Sequence, residues 1–283
     1  MPKTVVGVLR GGPSSEYEVS LKTGANVLKH LPEKYTPHDI FISRDGIWHS
    51  HGLPRDPDRI LRKVDVVFNA LHGAYGEDGK VQKLLEQFGV PYTGSQSIAS
   101  ALGMNKALSK KAFETHNLKT PRSVLVRKDN AGDKDLVEIF QTFPHPYVVK
   151  PVSAGSSVGV SVVRSFSEFL EAVKESLMHS SSVLVEEYIK GREATCAVVE
   201  NFRGEALHAL MPVEIVHPNS EFFDYQAKYS GESQEICPAN FDPKLKEEIQ
   251  RMTAIAHNAL QLRHYSRSDF IVSPRGEVYI LET

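Results

Sequence analysis

The stretch Tyr147-Val148-Val149-Lys150-Pro151-Val152-Ser153-Ala154-Gly155-Ser156-Ser157-Val158-Gly159 decides the reading of the chain. A β-rich run ends in a lysine, a loop of glycine and serine follows, and a second β-rich run spans Val160 to Val163. Small residues let backbone N–H groups come close to a polyanion, and Lys150 sets a cation beside them. A loop of this kind between two strands suits a phosphate lid and points to nucleotide chemistry. Gly155 to Gly159 also fits G-x-S-x-G, with Ser157 central, the pattern of a hydrolase nucleophile elbow. An elbow needs a strand directly before its serine and a helix directly after. Here Pro151 and several loop residues intervene and a strand follows, which argues against a hydrolase. A plain hairpin turn does not need so long a loop. The chain has neither G-x-x-x-x-G-K-[ST] nor H-E-x-x-H, so a Walker loop and a zincin site are excluded.

Upstream, Thr4–Leu9 reads as a buried strand that runs into Arg10-Gly11-Gly12-Pro13-Ser14-Ser15-Glu16, with a helix from about Val19 to Leu31. Val64–Phe68 is another strand, followed by the glycine loop 69–79 and a helical face of Val81, Leu84, Leu85 and Phe88. Strand, glycine loop and helix, repeated, predict a parallel sheet with active loops at the carboxyl ends of the strands, in a first domain of residues 1–94. A second domain, 95–187, holds a helix from Ser97 to about His116, a strand at Ser123–Val126, a helix from Asp133 to Phe143 and the strands flanking the glycine loop. Phe166, Phe169, Leu170, Val173 and Leu177 form a helical stripe after it, and Val183–Glu187 is a strand. The third domain, 188–283, is richer in strands: Glu193–Val199, Glu205–Met211, Arg267–Ser273 and Val278–Leu281, the last two joined by a turn at Arg275-Gly276. One long helix places Leu245, Ile249, Met252, Ala256 and Ala259 on one face, with Asp242 as N-cap and Pro243 in the first turn. Residues 218–239 show no period, and so long a connection suggests function.

Length alone is enough for about two domains. With 41% hydrophobic and 24% charged residues and a formal net charge of -2, nothing argues for a nucleic-acid or membrane partner. No apolar run is long enough to span a bilayer, and the first residues lead straight into a strand. Cys196 and Cys237 are the only cysteines, which implies neither a disulfide framework nor a zinc site. A cytoplasmic enzyme is the expected class.

Several polar residues could serve nucleotide chemistry. Lys106, in Gly-Met-Asn-Lys at a helix start, reads alone as a solvated lysine but with Lys150 could clamp phosphates. Glu186-Glu187-Tyr188-Ile189 is an exposed strand end or an adenine hinge, whose backbone would meet the base edge. Asp269 and Glu282 lie on neighbouring strands and are a cross-strand polar pair or the two carboxylates of a Mg²⁺ site. Asp224-Tyr225-Gln226-Ala227-Lys228-Tyr229 reads, in isolation, as a solvated loop.

Taken together and in order, seven segments resemble the D-alanine–D-alanine ligases of the ATP-grasp superfamily. They are Gly11–Ser20, Leu71–Gly79, Gly103–Lys106, Val149–Gly159, Val185–Glu193, Phe223–Tyr229 and Arg267–Phe270. Each is weak alone; the ordered set spans nearly the whole chain and is specific. The resemblance implies α/β and α+β architecture: a three-domain ATP-grasp fold with an N-terminal parallel-sheet domain and ATP held between the second and third domains. It implies that Glu16 holds the ammonium of the first D-alanine, that Ser156 and Tyr229 link to Glu16 and close the site, and that His72 lies near that substrate. Lys106, Lys150 and Ser157 would bind phosphates. Glu186, Glu187 and Ile189 would receive adenine, Glu193 the ribose, and Lys228 the γ-phosphate. Arg267 would stabilise the tetrahedral oxyanion, and Asp269 and Glu282 would bind Mg²⁺ or Mn²⁺. It further implies a homodimer in peptidoglycan synthesis, and Tyr229 favours D-alanine over D-lactate as second substrate.

The family pattern continues past the glutamate matched by Glu282, with an asparagine two residues on as a further metal ligand and a last segment that helps bind the second D-alanine. The sequence stops at Thr283. A truncated sequence is the expected explanation; the alternative is an ATP-grasp nucleotide-binding protein without full ligase activity.

Overall fold

The computed structural model describes the chain except for residues 1, 131, 144, 154, 156–158 and 217–233. The described chain forms two compact units, one ending at Ala101 and the other running from Leu102 to Thr283.

In the first unit the apolar run after Lys3 forms β1 (Thr4–Gly11), followed by α1 (Tyr17–His30), β2 (Tyr35–Ile42), β3 (Trp48–Ser50), β4 (Leu53–Pro54), α2 (Pro57–Leu61), β5 (Val66–Asn69) and α3 (Lys80–Gln87). The sheet order is β4-β3-β2-β1-β5. β1 is parallel to both β2 and β5, as strand–loop–helix repetition demands. β3 and β4 extend the sheet in antiparallel fashion, which the sequence reading did not anticipate. Strands of three and two residues are too short to carry a period. One face packs Leu9, Ile40, Ile42, Val67, Val81 and Leu85; the other packs Val6, Val8 and Ala70 against Val27 and Leu28 of α1. Gly11 ends β1 at φ +92°, and a Cβ there would stand 2.2 Å from the Ile42 carbonyl oxygen. Only glycine fits this turn, which sends the chain toward Glu16.

The second unit contains two sheets, and the division between the units falls within α4 (Ser97–Met104). It continues with α5 (Lys106–Thr115), β6 (Ser123–Arg127), α6 (Asp133–Thr142), β7 (Tyr147–Pro151), β8 (Ser161–Val163), α7 (Phe166–His179) and β9 (Ser182–Glu187). The sequence predicts one helix from Ser97 to His116, but Asn105 interrupts it. Its backbone is extended, and its side chain accepts a hydrogen bond from the Leu108 N–H at 3.1 Å, so it caps a new helix whose first residue is Lys106. The four strands form an antiparallel sheet in the order β6-β9-β7-β8. Tyr147, Val149, Val183 and Val185 of this sheet pack on Phe169 and Val173 of α7.

The remaining chain gives β10 (Arg192–Phe202), β11 (Glu205–Ala209), β12 (Val213–Val216), β13 (Gln234–Ile236), α8 (Pro243–Ala259), β14 (Tyr265–Val272) and β15 (Val278–Glu282). The second sheet runs β13-β12-β10-β14-β15, with β11 also on β10. Asp242 caps α8, accepting from the Leu245 N–H at 3.0 Å, with Pro243 in the first turn. Ile249, Met252 and Ala256 of α8 are buried with Ala194, Cys196, Phe270 and Ile280, and Phe113 of α5 joins the same core. Among the described residues, no helix is long and apolar enough to cross a membrane.

Candidate active site

In the first unit, Glu16 follows the Gly11 turn at the carboxyl end of β1. The Ser14 hydroxyl donates to the His72 carbonyl at 2.6 Å and accepts from the Glu16 N–H at 3.1 Å, so one serine ties the two glycine loops together. Nε2 of His72 is 2.9 Å from Thr23 Oγ1. Its Nδ1 is 3.9 Å from Glu77, a carboxylate that the sequence reading passed over. A Cβ on Gly73 would lie 2.7 Å from Glu16 Oε2, so the carboxylate needs glycine beside it. Glu16 and His72 are thus brought to one loop cluster at the sheet's carboxyl edge, where an α/β sheet presents ligand-binding groups.

In the second unit, β14 and β15 pair Asp269 directly with Glu282, while one residue along Phe270 pairs with Ile280. This one-residue register shift leaves Leu281 as the extra residue. It sets Asp269 and Glu282 on the face opposite the buried Phe270 and Ile280. Asp269 accepts from Thr195 Oγ1 at 2.8 Å, and Arg267 approaches it with Nε and a terminal nitrogen, each at 3.1 Å. Lys106 reaches Glu282 Oε2 at 3.0 Å. The N–H of Lys106 also donates to the Val152 carbonyl at 3.0 Å, which fixes the start of α5 against the chain leaving β7.

Lys150, on β7, lies 2.8 Å from Glu186 Oε2 on the adjacent strand β9. The same carboxylate meets a second lysine, Lys110, whose Nζ is 2.9 Å from Oε1. Burial pushes the Glu186 carboxyl up, but the charges of Lys150 and Lys110 and their hydrogen bonds outweigh it, so it stays below the ordinary glutamate range. The Lys110 ammonium is pulled below its ordinary value, first by burial, partly offset by Glu186 and reinforced by Lys150. Sequence reading missed Lys110. A signal was present: Lys106, Ser109, Lys110 and Phe113 fall at the spacing of one buried helical stripe, so both lysines point inward.

Glu187 turns its side chain to Arg122, accepting from the backbone N–H at 2.9 Å and from Nε at 3.0 Å. The N–H groups of Glu187 and Tyr188 donate to Arg122 and Pro146 carbonyls. Among the described residues, Ile189's N–H takes no backbone carbonyl. Glu193 lies on β10, opposite Ile215 and Ile271. Ser156, Ser157, Lys228 and Tyr229 lie outside the described residues. Lys106, Asp269, Glu282 and Arg267 therefore form one contiguous set, with Glu186 and Lys150 joined to it through α5, which carries both Lys106 and Lys110. Two carboxylates side by side offer hard oxygen ligands of the number that Mg²⁺ takes from protein when phosphates supply the rest. No cluster of three or more histidine, cysteine or acidic residues fit for a metal occurs among the described residues.

Two family models match the chain. One, described as D-ala D-ala ligase N-terminus, covers residues 5–59 and 52–95; the other, D-ala D-ala ligase C-terminus, covers 112–283. The D-alanine–D-alanine ligase of Geotalea uraniireducens is 43% identical over 281 residues, spanning 98% of this chain and 84% of that protein. That of Geobacter sulfurreducens is 40% identical, spanning 99% and 83%. Among solved structures, the VanG D-Ala:D-Ser ligase of Enterococcus faecalis superposes with a TM-score of 0.86 at 30% identity, covering 99% of this chain and 90% of that one. The D-alanine–D-alanine ligase of Coxiella burnetii gives 0.83 at 27% identity, covering 99% and 84%.

Proposed function

We infer that this chain, which belongs to the D-alanine–D-alanine ligase family, uses ATP to join two D-alanines for peptidoglycan synthesis, through a D-alanyl phosphate. The observation that carries the nucleotide part is the set formed by Lys106, Glu282, Asp269 and Arg267, with Lys150 adjoining it. Cations and paired carboxylates on adjoining elements are what a magnesium-bound polyphosphate requires.

The chemistry assigns the roles. A carboxylate is a poor acyl donor because its oxide leaves badly. When a carboxylate oxygen of the first D-alanine attacks the γ-phosphorus, ADP leaves, and the acyl group gains phosphate as a leaving group. Glu16 holds the ammonium of that D-alanine, with His72 near it. Lys106, Lys150, Ser157 and Lys228 hold phosphates. Glu186 and the backbone from Glu187 to Ile189 receive adenine, and Glu193 receives the ribose. Asp269 and Glu282 would hold Mg²⁺ or Mn²⁺, which would supply positive charge against the transferring phosphate. The unprotonated amine of the second D-alanine then attacks the carbonyl carbon and phosphate departs. Arg267 meets the negative charge that develops on the carbonyl oxygen, an interaction worth on the order of 10²–10³ in rate. Ser156 and Tyr229 close the site over an acyl phosphate that water would destroy.

D-Alanine as the second substrate is supported by the curated relatives at 39–43% identity, all named D-alanine–D-alanine ligases, although the neighbour at 30% is named for D-serine. On the same reading the chain divides into domains 1–94, 95–187 and 188–283 and acts as a homodimer, which light scattering would check. The deciding assay supplies the protein, expressed from its complete coding sequence, with ATP, Mg²⁺ and D-alanine. Phosphate release that depends on D-alanine, with D-alanyl-D-alanine as product, is expected. ATP binding without turnover would favour the nucleotide-binding alternative.

A further inference from the structure

Lys110 has no part in the reaction just described, yet it is among the most enclosed charges in the chain. The side chains of Lys110, Lys150 and Glu186 are only 3%, 8% and 2% exposed. Beyond its contact with Glu186, the Lys110 ammonium donates to Thr120 Oγ1 at 2.9 Å and to the Pro121 carbonyl at 2.6 Å. With two hydrogen bonds to protein oxygens and an ion pair to Glu186, this ammonium is engaged by the protein itself. Lys150 approaches the same carboxylate from the other side. Two cations thus share one anion inside the protein, leaving a buried net charge of +1. Among the described residues, Glu186 is the one carboxylate in ion-pair range of either lysine. A buried charge without a counter-charge is costly, so the cluster is complete only when another anion arrives beside Lys150.

We propose that Lys110 is a positioning residue for nucleotide binding: by neutralising Glu186 from behind, it leaves the charge of Lys150 for a phosphate. The proposal rests on the reading of this unit as a nucleotide site and assigns Lys110 a role in discriminating phosphorylated from unphosphorylated nucleosides. Without Lys110, Glu186 and Lys150 become a neutral pair, and a polyphosphate meets no net attraction there. An uncharged nucleoside is affected far less.

The test is the ratio of ATP to adenosine affinity, measured by calorimetry on the full chain. In Lys110→Met the ratio should fall on the order of tenfold or more. In the double variant Lys110→Met/Glu186→Gln, where Lys150 alone restores a net +1, it should return toward the wild-type value. Lys110→Gln keeps a donor for Thr120 and Pro121 and reads the same quantity if the methionine variant does not fold. Equal losses for ATP and adenosine in a folded variant would mark Lys110 as merely structural and overturn the proposal, as would a double variant that stays at the single variant's ratio. A wild-type protein that binds ATP no better than adenosine would instead sink the nucleotide-site reading, and this inference with it.

Discussion

The two charged clusters of the second unit are built from the same residue types and behave as opposites. Around Glu186, every charged side chain is buried and each oxygen faces a lysine. Around Asp269 and Glu282, the side chains remain 13% and 36% exposed, with Arg267 on the solvent side. In the enclosed cluster the protein must supply the counter-charges itself, so Lys110 is held and acts on a ligand only through its neighbours. In the open cluster water screens part of the charge, and the carboxylates can face a ligand directly. Enclosure by its own protein partners, more than residue type, separates the positioning role of Lys110 from a direct one.

Removing the enclosed anion should have the largest effect. Glu186→Ala strands two buried lysines and should lower stability by about 3–5 kcal/mol in urea denaturation at neutral pH; a loss under about 1 kcal/mol would mean the cluster is not dry, and the contrast would collapse. The open cluster should respond in the other observable. Asp269→Asn keeps an acceptor for Thr195 and should leave stability within about 1 kcal/mol, while ligase turnover falls on the order of 10²-fold. A destabilised but active variant would reverse the comparison.

Acid should sharpen it further. The Glu186 pKa is lower folded than unfolded, so as pH drops the unfolded chain takes up the proton first. Its contribution is complete above the unfolded value, about 4.3, and is lost as pH falls through the lower folded value, with a slope of at most about 1.4 kcal/mol per pH unit. The Lys110→Met/Glu186→Gln double variant should therefore show a shallower acid limb than the wild type when denaturation midpoints are followed from pH 6 to 3. The smallest effect belongs to an exposed pair: Arg122→Ala leaves the backbone N–H bond to Glu187 in place and should cost no more than about 1 kcal/mol.

How much of this was legible in the sequence follows physical range. Local signals were readable, such as the Asp242-Pro243 start of α8 and its stripe through Ile249, Met252 and Ala256, because capping and helical period act within a few residues. The strands flanking the glycine loop were readable for the same reason, and they pair as neighbours, Tyr147 with Val163. The break at Asn105 was missed because an asparagine inside an apolar period looks like a tolerated polar residue until its side chain is seen capping Leu108. Lys110 was missed because a lysine in a helix is presumed solvated, although it shares a helical stripe with Ser109 and Phe113; its partners on β9 and at residues 120–121 settle that it is enclosed. Of the candidate site residues, Asp269 and Glu282 were picked out as strand neighbours, but the register that brings them level is a property of the paired strands.

That register has a genetic consequence. In unbroken pairing, the Phe270–Ile280 match would put Leu281 opposite Asp269 and turn Glu282 toward the other face. An in-frame loss of the Leu281 codon would remove the extra residue and leave the glutamate opposite Asp269 in an unbroken ladder. An in-frame gain of one uncharged residue beside Leu281 would change no acid, base or charge, and a comparison of active-site inventories would score it as silent. With a single extra residue still accommodated, that gain would set the glutamate opposite the buried Ser268 and turn it to the interior face, so in this strand the number of residues is as much an inherited requirement as their identity.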